Sequence, residues 1–468
     1  MGLLIKNGVI VTASDTYRAD ILVEGEKIVM IGAYLPSDDH QVYDAGGKYV
    51  LPGGVDVHTH LELPVSGTVS SDDFYTGQVA AAFGGTTTHI DFPIQAKGGS
   101  LRQALDTWHA KADGKAAIDY GFHMTITDMN PEVAREIPEI VTEGVTSLKL
   151  LMAYKNSVMV DDTTIFRVMR IAAEQGLLVM VHAENGDAIA ELVDGAVRSG
   201  NLEPRYHALT RPALLEGEAT GRAIALSAVT QCPLYIVHMT CRESLQQLRT
   251  GRAMGLPVMG ETCVQYLLLT QADLERTGHE GAKFVCSPPL RTPEDNHALW
   301  DALRDGTLQV VSTDHCPFWF EGGQNGRPAG KELGKENFSL IPNGLPVIEE
   351  RLKLVWTHGV GKHWITPNRF VALNSTNPAK AFGLYPRKGT IMVGSDADIV
   401  IWDAGKSGTI SDRTHHMNVD YSAFQGMPFK GSPLTVFLRG RLIVDGYRWL
   451  GKAGSGHFLK RSAYAPVL

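Results

Sequence analysis

The sequence predicts an α/β fold: a TIM-like (β/α)8 barrel with a smaller β-sandwich domain built from both chain termini. Three observations carry that prediction. Eight short apolar runs, VDVHTH, TTTHIDF, DYGFHMTIT, TSLKLLM, LLVMVHA, LYIVHMT, PVMGETC and LQVVSTD, alternate with amphipathic stretches such as DTTIFRVMRIAAEQG. That is the strand and helix count of a barrel. Five runs each supply potential metal ligands at or near their ends: His58 with His60, then Lys149, His182, His238 and Asp314. Groups so far apart in sequence converge only if their strands point the same way around one centre, as in a parallel barrel. Finally, β-rich segments broken by turn signals occur at the two ends of the chain.

Taken in order, LLIKNGVIVT, DILVEGEKIVMIG and QVYDAGGKYVL read as a meander, and the same texture returns in GTIMVGSDADIVIWD and LTVFLRGRLIVDG. Residues 1–51 and 388–447 are therefore assigned to the sandwich, 52–387 to the barrel, and 448–468 to a tail that offers a possible oligomer contact. The 468 residues are 44% hydrophobic and 20% charged, an ordinary globular composition. A formal net charge of -8 gives no footprint for nucleic acid or an anionic membrane, so a small-molecule partner is expected. Five cysteines (Cys232, Cys241, Cys263, Cys286, Cys316) without a CxxC pair read as reduced, mostly buried thiols. No stretch reads as a signal peptide or reaches membrane-spanning length, and a cytoplasmic location is expected.

Because side chains alternate along a strand, His58 and His60 point to the same side, as one metal ion requires of two imidazoles. Among 17 histidines such a pair is weak evidence alone; His182 and His238 at two further strand ends strengthen it. His89 and His123 read as packing or supporting residues, and His415 and His416 carry no assigned chemistry. Lys149 lies inside an apolar strand, where an unpaired ammonium is costly. It is either paired with a carboxylate or functional, and a neutral lysine that adds carbon dioxide becomes a carbamate able to bridge two cations. Asp314 ends the last run, placed either to cap a turn or to bind a metal and accept a proton from an attacking water.

The succession HTH, Lys149, HAEN, VHMT and STDHCPF resembles the cyclic amidohydrolases, specifically the dihydropyrimidinase and D-hydantoinase branch. MAYKNSVMVDD, KFVCSPPLR, GKENFSLIPNG, NSTNPAKAFGLYPRKGTIMVGSDADIVIWD and TISDRTHHMNVDYSAFQG extend the resemblance over nearly the whole chain. The resemblance implies two divalent ions, zinc foremost: one on His58 and His60, the other on His182 and His238, bridged by N6-carboxylated Lys149. Asp314 is implied to bind the first ion and shuttle the proton. Tyr154 is implied to be an oxyanion donor, and Ser287 and Asn343 to hold the cyclic imide through backbone groups. The implied reaction opens the ring amide of 5,6-dihydropyrimidines or 5-substituted hydantoins to N-carbamoyl amino acids, a metal-bridging hydroxide attacking the carbonyl. A homotetramer and a role in pyrimidine catabolism come with it.

Dihydroorotases typically place an arginine directly after the HxH pair, and allantoinases an Asn-Glu-Pro; this chain has Leu61, Glu62 and Leu63. An apolar access loop suits a neutral ring, and Leu63, Leu151 and Val158 are the candidate surface for its substituent. The alternatives carried forward are an allantoinase, a dihydroorotase-like enzyme and a non-enzymatic scaffold of the same fold. Residues 318–338 (FWFEGGQNGRPAGKELGKENF) depart from the family pattern in length and glycine content and are expected to form a mobile lid or surface loop.

Overall fold

The computed structural model describes residues 2–37 and 39–467, and all eight apolar runs fold as strands. They are Gly54–Thr59, Thr86–Asp91, Asp119–Phe122 (continuing past His123 as Met124–Thr125), Ser147–Leu151, Leu178–His182, Leu234–Ile236, Val258–Cys263 and Val310–Ser312. Their pairing is parallel throughout, in a three-stranded and a six-stranded array. A parallel bridge between Ile94 and Thr125 joins the two arrays, and another between Thr59 and His315 links the first run to the last.

The strands bury both faces, as parallel strands between helices must. Leu178 and Met180 join Val55, Val57, Ile90, Phe92, Tyr235 and Val310 in one cluster, while Val179 and Val181 join Leu148, Leu150 and Ile236 in another. Each such side chain contributes about 1.5–3 kcal/mol of burial. Lys149 sits in register with Met180, so an ammonium occupies the row that elsewhere carries apolar groups.

The intervening helices follow the amphipathic pattern. In Asp162–Gln175 the buried residues are Ile165, Val168, Met169 and Ala172, at the spacing of one helical face. The Asp161 side chain accepts from Thr164 N at its start, and Gly176 closes its end at φ 66°, a left-handed conformation that suits glycine.

Both termini build one hydrogen-bonded nine-stranded sheet, in which Tyr49–Pro52 pairs with Ile399–Thr409. Ile399 and Ile401 face a separate core with Ile5, Ile21, Val50 and Phe437, whereas Val400 and Trp402 join the large core of the strand-and-helix region. The sheet extends through Arg448–Trp449. Beyond it the tail lies along the chain's own strands and helices: Gly456 N donates to Ala116 O, Leu459 N to Tyr120 O, Arg461 N to Gly144 O and Ala465 N to Lys380 O. Residue 468, the last of the predicted tail, lies outside the described residues.

A buried charge cluster joins the nine-stranded sheet to the parallel strands at the start of Asp119–Phe122. Lys388 Nζ lies 2.6 Å from Asp119, 3.0 Å from Asp396 and 2.9 Å from Asp398, and Arg439 pairs with Asp119 from the other side.

Candidate active site

At the carboxyl ends of the strands, the sequence-predicted residues line one cavity of about 460 Å³. It is lined by His58, His60, Lys149, His182, His238 and Asp314, by Tyr154, Ser287 and Asn343, and by Leu63, Leu151 and Val158, beside Pro64 and Val65. His58 belongs to a strand, Lys149 is the central residue of its strand, and His182 ends one. His238 and Asp314 come two residues after theirs, with φ values of 37° and 53°, and Tyr154 has 67°. These left-handed backbones are uncommon for residues other than glycine, and such strain clusters at functional sites.

Asp314 Oδ1 lies 3.1 Å from His58 Nε2 and 3.0 Å from His60 Nε2. Ligand atoms of His58, His238 and Asp314 fall within 4.8 Å of one another. The rings of His182 and His238 stand 4.5 Å apart, centroid to centroid. Burial, reinforced by neighbouring cationic groups, holds the pKa values of His58 and His238 well below the ordinary histidine range, so both are neutral at neutral pH. Burial opposes ionisation of Asp314, but His58, His60 and Lys149 outweigh it and lower its pKa. Burial brings Lys149 down to about 8, and it makes no ion pair among the described residues; pairing with a carboxylate, the structural alternative, is not what the geometry shows.

These residues fit a metal centre. His60 Nδ1 and His238 Nδ1 are buried without a hydrogen-bond partner among the described residues, and the donor set of imidazoles and one carboxylate is that of divalent-cation sites.

Carboxylates that the sequence reading missed orient the imidazoles. His58 Nδ1 donates to Glu261 Oε1 at 2.5 Å, and Tyr235 Oη donates to the other oxygen at 2.9 Å. His182 Nε2 donates to Glu184 Oε2 at 2.7 Å. Metal-binding histidines are held this way by a second acceptor. An acid inside the strand run PVMGETC was the legible sign of Glu261. His89 and His123 act as expected, in support: His89 joins Gln78 to Thr59, which donates to Asp91, and His123 bridges Ser147 and Val57 O.

Ser287 and Asn343 meet through their side chains. Asn343 Nδ2 donates to Ser287 Oγ at 3.1 Å, and Tyr154 lines the cavity beside them. Burial raises Tyr154 to about 12, so it remains a hydroxyl donor. The backbone groups of Ser287 and Asn343 take no backbone partner among the described residues. At the mouth, Pro64–Val65 and Thr68–Val69 form a two-stranded hairpin, with positive φ at both Ser66 and Gly67 as a type I′ turn needs.

Residues 318–338 are tied down rather than left as a free lid. Asp420 accepts from Phe320 N and Glu321 N, Glu332 accepts from Gly322 N and Gly330 N, and Phe318, Lys331 and Phe338 are buried. Thr68 of the mouth hairpin donates to Ala329 O.

Residues 49–443 match the family described as the amidohydrolase family. The chain is 50% identical over 469 residues to a D-hydantoinase of Geobacillus stearothermophilus, covering 100% of this chain and 98% of that one. It is 41% identical to a D-phenylhydantoinase of Escherichia coli K12, covering 100% of this chain and 99% of that one. The crystal structure of a dihydropyrimidinase from Brevibacillus agri NCHU1002 superposes with a TM-score of 0.97 at 52% identity, over 99% of this chain and 100% of that one.

Proposed function

The chain belongs to the amidohydrolase family, and from that premise we propose that it opens the ring amide of 5,6-dihydropyrimidines and 5-substituted hydantoins, releasing N-carbamoyl amino acids. The observation that carries this reading is the single cavity that four histidines, Lys149 and Asp314 line together with Tyr154, Ser287 and Asn343. The parallel bridges between the arrays support a closed (β/α)8 barrel as the frame, with the nine-stranded terminal sheet as its second domain.

His58 and His60 would hold one divalent ion and His182 and His238 another, zinc being the first candidate, with N6-carboxylated Lys149 between them. A lysine drawn down to about 8 keeps an appreciable neutral fraction near neutral pH, the form that adds carbon dioxide. Two such ions supply an acidified water as nucleophile and a polarised amide carbonyl.

The chain's own groups do the rest. The ionised carboxylate of Asp314 accepts the proton of the attacking water and returns it to the ring nitrogen as the C–N bond breaks. Tyr154 Oη donates to the oxygen that gains charge in the tetrahedral intermediate. Backbone groups of Ser287 and Asn343 meet the N–H and C=O of the imide. Leu63, Leu151 and Val158 offer an apolar surface to a ring substituent. A homotetramer accompanies this reading, and sedimentation of the purified chain tests it.

kcat/KM for dihydrouracil beside an aryl-hydantoin, with Asp314→Asn as the control for contaminating activity, tests the function. A tenfold or greater preference for dihydrouracil marks tuning to small rings; preference for the aryl-hydantoin assigns specificity to the apolar mouth. Hydrolysis of neither would remove the reading.

A further inference from the structure

Lys331 is among the largest fully buried side chains of the molecule, with none of its surface exposed. It makes no ion pair among the described residues; its ammonium donates to three backbone carbonyls, Val285 O at 2.9 Å, Pro342 O at 2.6 Å and Gly344 O at 2.9 Å. Three acceptors match the three N–H bonds of an ammonium. An ammonium without a counter-charge is an expensive group to bury, and a methionine would fill the same space without that cost.

The acceptors lie in two loops. Val285 is two residues before Ser287, and Pro342 and Gly344 flank Asn343. Gly344 N also donates to Val285 O at 3.0 Å, so one carbonyl receives both the partner loop and the ammonium. Gly344 itself lines the cavity, with φ 150° and no room for a Cβ, which would fall 2.2 Å from Cys316 O. Lys331 reaches this junction from the 318–338 strap, whose backbone is tied to it by Lys331 N donating to Trp319 O at 2.7 Å and by Glu332 accepting from Gly322 N and Gly330 N.

We infer that Lys331 is a positioning residue for ring recognition: its ammonium clamps the Val285, Pro342 and Gly344 carbonyls together and thereby fixes the spacing of Ser287 and Asn343 across the cavity. This rests on the reading that Ser287 and Asn343 hold the substrate. The strap is then part of the recognition wall from behind, although Lys331 touches no substrate atom.

The test uses the full chain loaded with metal, dihydrouracil and hydantoin as substrates, and Lys331→Met as the variant. Hydrogen exchange reads the clamp without any substrate: the hydrogen-bonded amides of Val285, Ile341 and Gly344 are expected to exchange about tenfold faster in the variant, with those of Val310–Ser312 unchanged. Kinetics read recognition: KM is expected to rise about tenfold, with kcat within about threefold and metal content unaltered. A merely structural lysine would lower stability without moving KM alone. Unchanged exchange at these amides, or faster exchange with an unchanged KM, overturns the inference. A wild-type protein inactive on both substrates overturns the functional reading instead, and the exchange data still decide the clamp. If Lys331→Met does not fold, Glu332→Gln loosens the strap from outside, with KM expected to rise about threefold and an unchanged KM contradicting the inference.

Discussion

Two buried lysines, one against Asp119 at the amino-terminal start of its strand and one lining the cavity, are treated in opposite ways. At the amino-terminal end, Lys388 lies within 3.0 Å of three aspartates, which outweigh burial and raise its pKa. In the cavity, Lys149 has imidazoles around it, no ion pair among the described residues, and a pKa drawn down by burial to about 8. Equal burial with unequal satisfaction separates a charge that holds two parts of the fold together from one kept reactive. Native interiors pair or hydrogen-bond their buried charges; Lys388 has its aspartates and Lys331 its three carbonyls, whereas the Lys149 amine has neither among the described residues.

Exchanging the two lysines for neutral residues should therefore give opposite results. Lys149→Ala is expected to lower kcat/KM roughly 10⁴-fold or more and to strip bound metal, with the stability of the metal-free chain unchanged or raised, since an unpaired buried charge has been removed. Comparable activity in this variant would break the comparison at its first term. Lys388→Met is expected to do the reverse. It leaves Asp119, Asp396 and Asp398 buried together, so urea unfolding should show a loss of about 3–5 kcal/mol while kcat/KM per folded molecule stays within about twofold.

Two smaller effects sharpen the contrast. Glu261→Gln, which weakens the acceptor holding His58 Nδ1, is expected to lower metal affinity about 10–100-fold in a chelator competition without altering the unfolding midpoint of the metal-free chain. In the charge cluster, Asp396 is held at about 2, below its ordinary value of 3.8, because Lys388, Lys27 and Arg387 outweigh burial. A depressed carboxylate contributes stability that is present above its unfolded pKa and lost as pH falls through the folded one. The melting temperature should therefore decline between pH about 4 and 2, and Asp396→Asn should flatten that decline. An unchanged slope in Asp396→Asn would show that the cluster does not govern acid stability.

How much of this was legible in the sequence follows from which signals are local. The eight strands were readable because each is a short apolar run, and the cavity's histidines, Lys149 and Asp314 because a charged or imidazole residue in such a run conflicts with its surroundings. Tyr154, Ser287 and Asn343 rested on the family resemblance, since Ser and Asn in turns have an ordinary explanation. Glu184 and Glu261 were missed because their role depends on which histidine they reach across the fold. In the 318–338 segment the expected surface loop is met at residues 323–327, which are exposed, while the ties on either side of it were not legible. Gly330 is demanded by a close approach, its missing Cβ lying 1.9 Å from Trp319 O, and the anchors Asp420 and Glu332 cannot be matched to their amides from spacing alone. The terminal strands gave their identity but not their pairing, which joins residues 49–52 to residues some 350 positions later.

We hold the carboxyl ends of the strands to be a two-metal centre for cyclic-amide hydrolysis. The most direct test is the metal content of the purified chain, measured on the sample whose hydrolysis of dihydrouracil and hydantoin is followed before chelation, after it, and after readdition of zinc. Two ions per chain are expected, with activity that falls on their removal and recovers when they return. Protein that contains no metal after expression in zinc-replete medium, or that keeps its activity once the metal is gone, would contradict this.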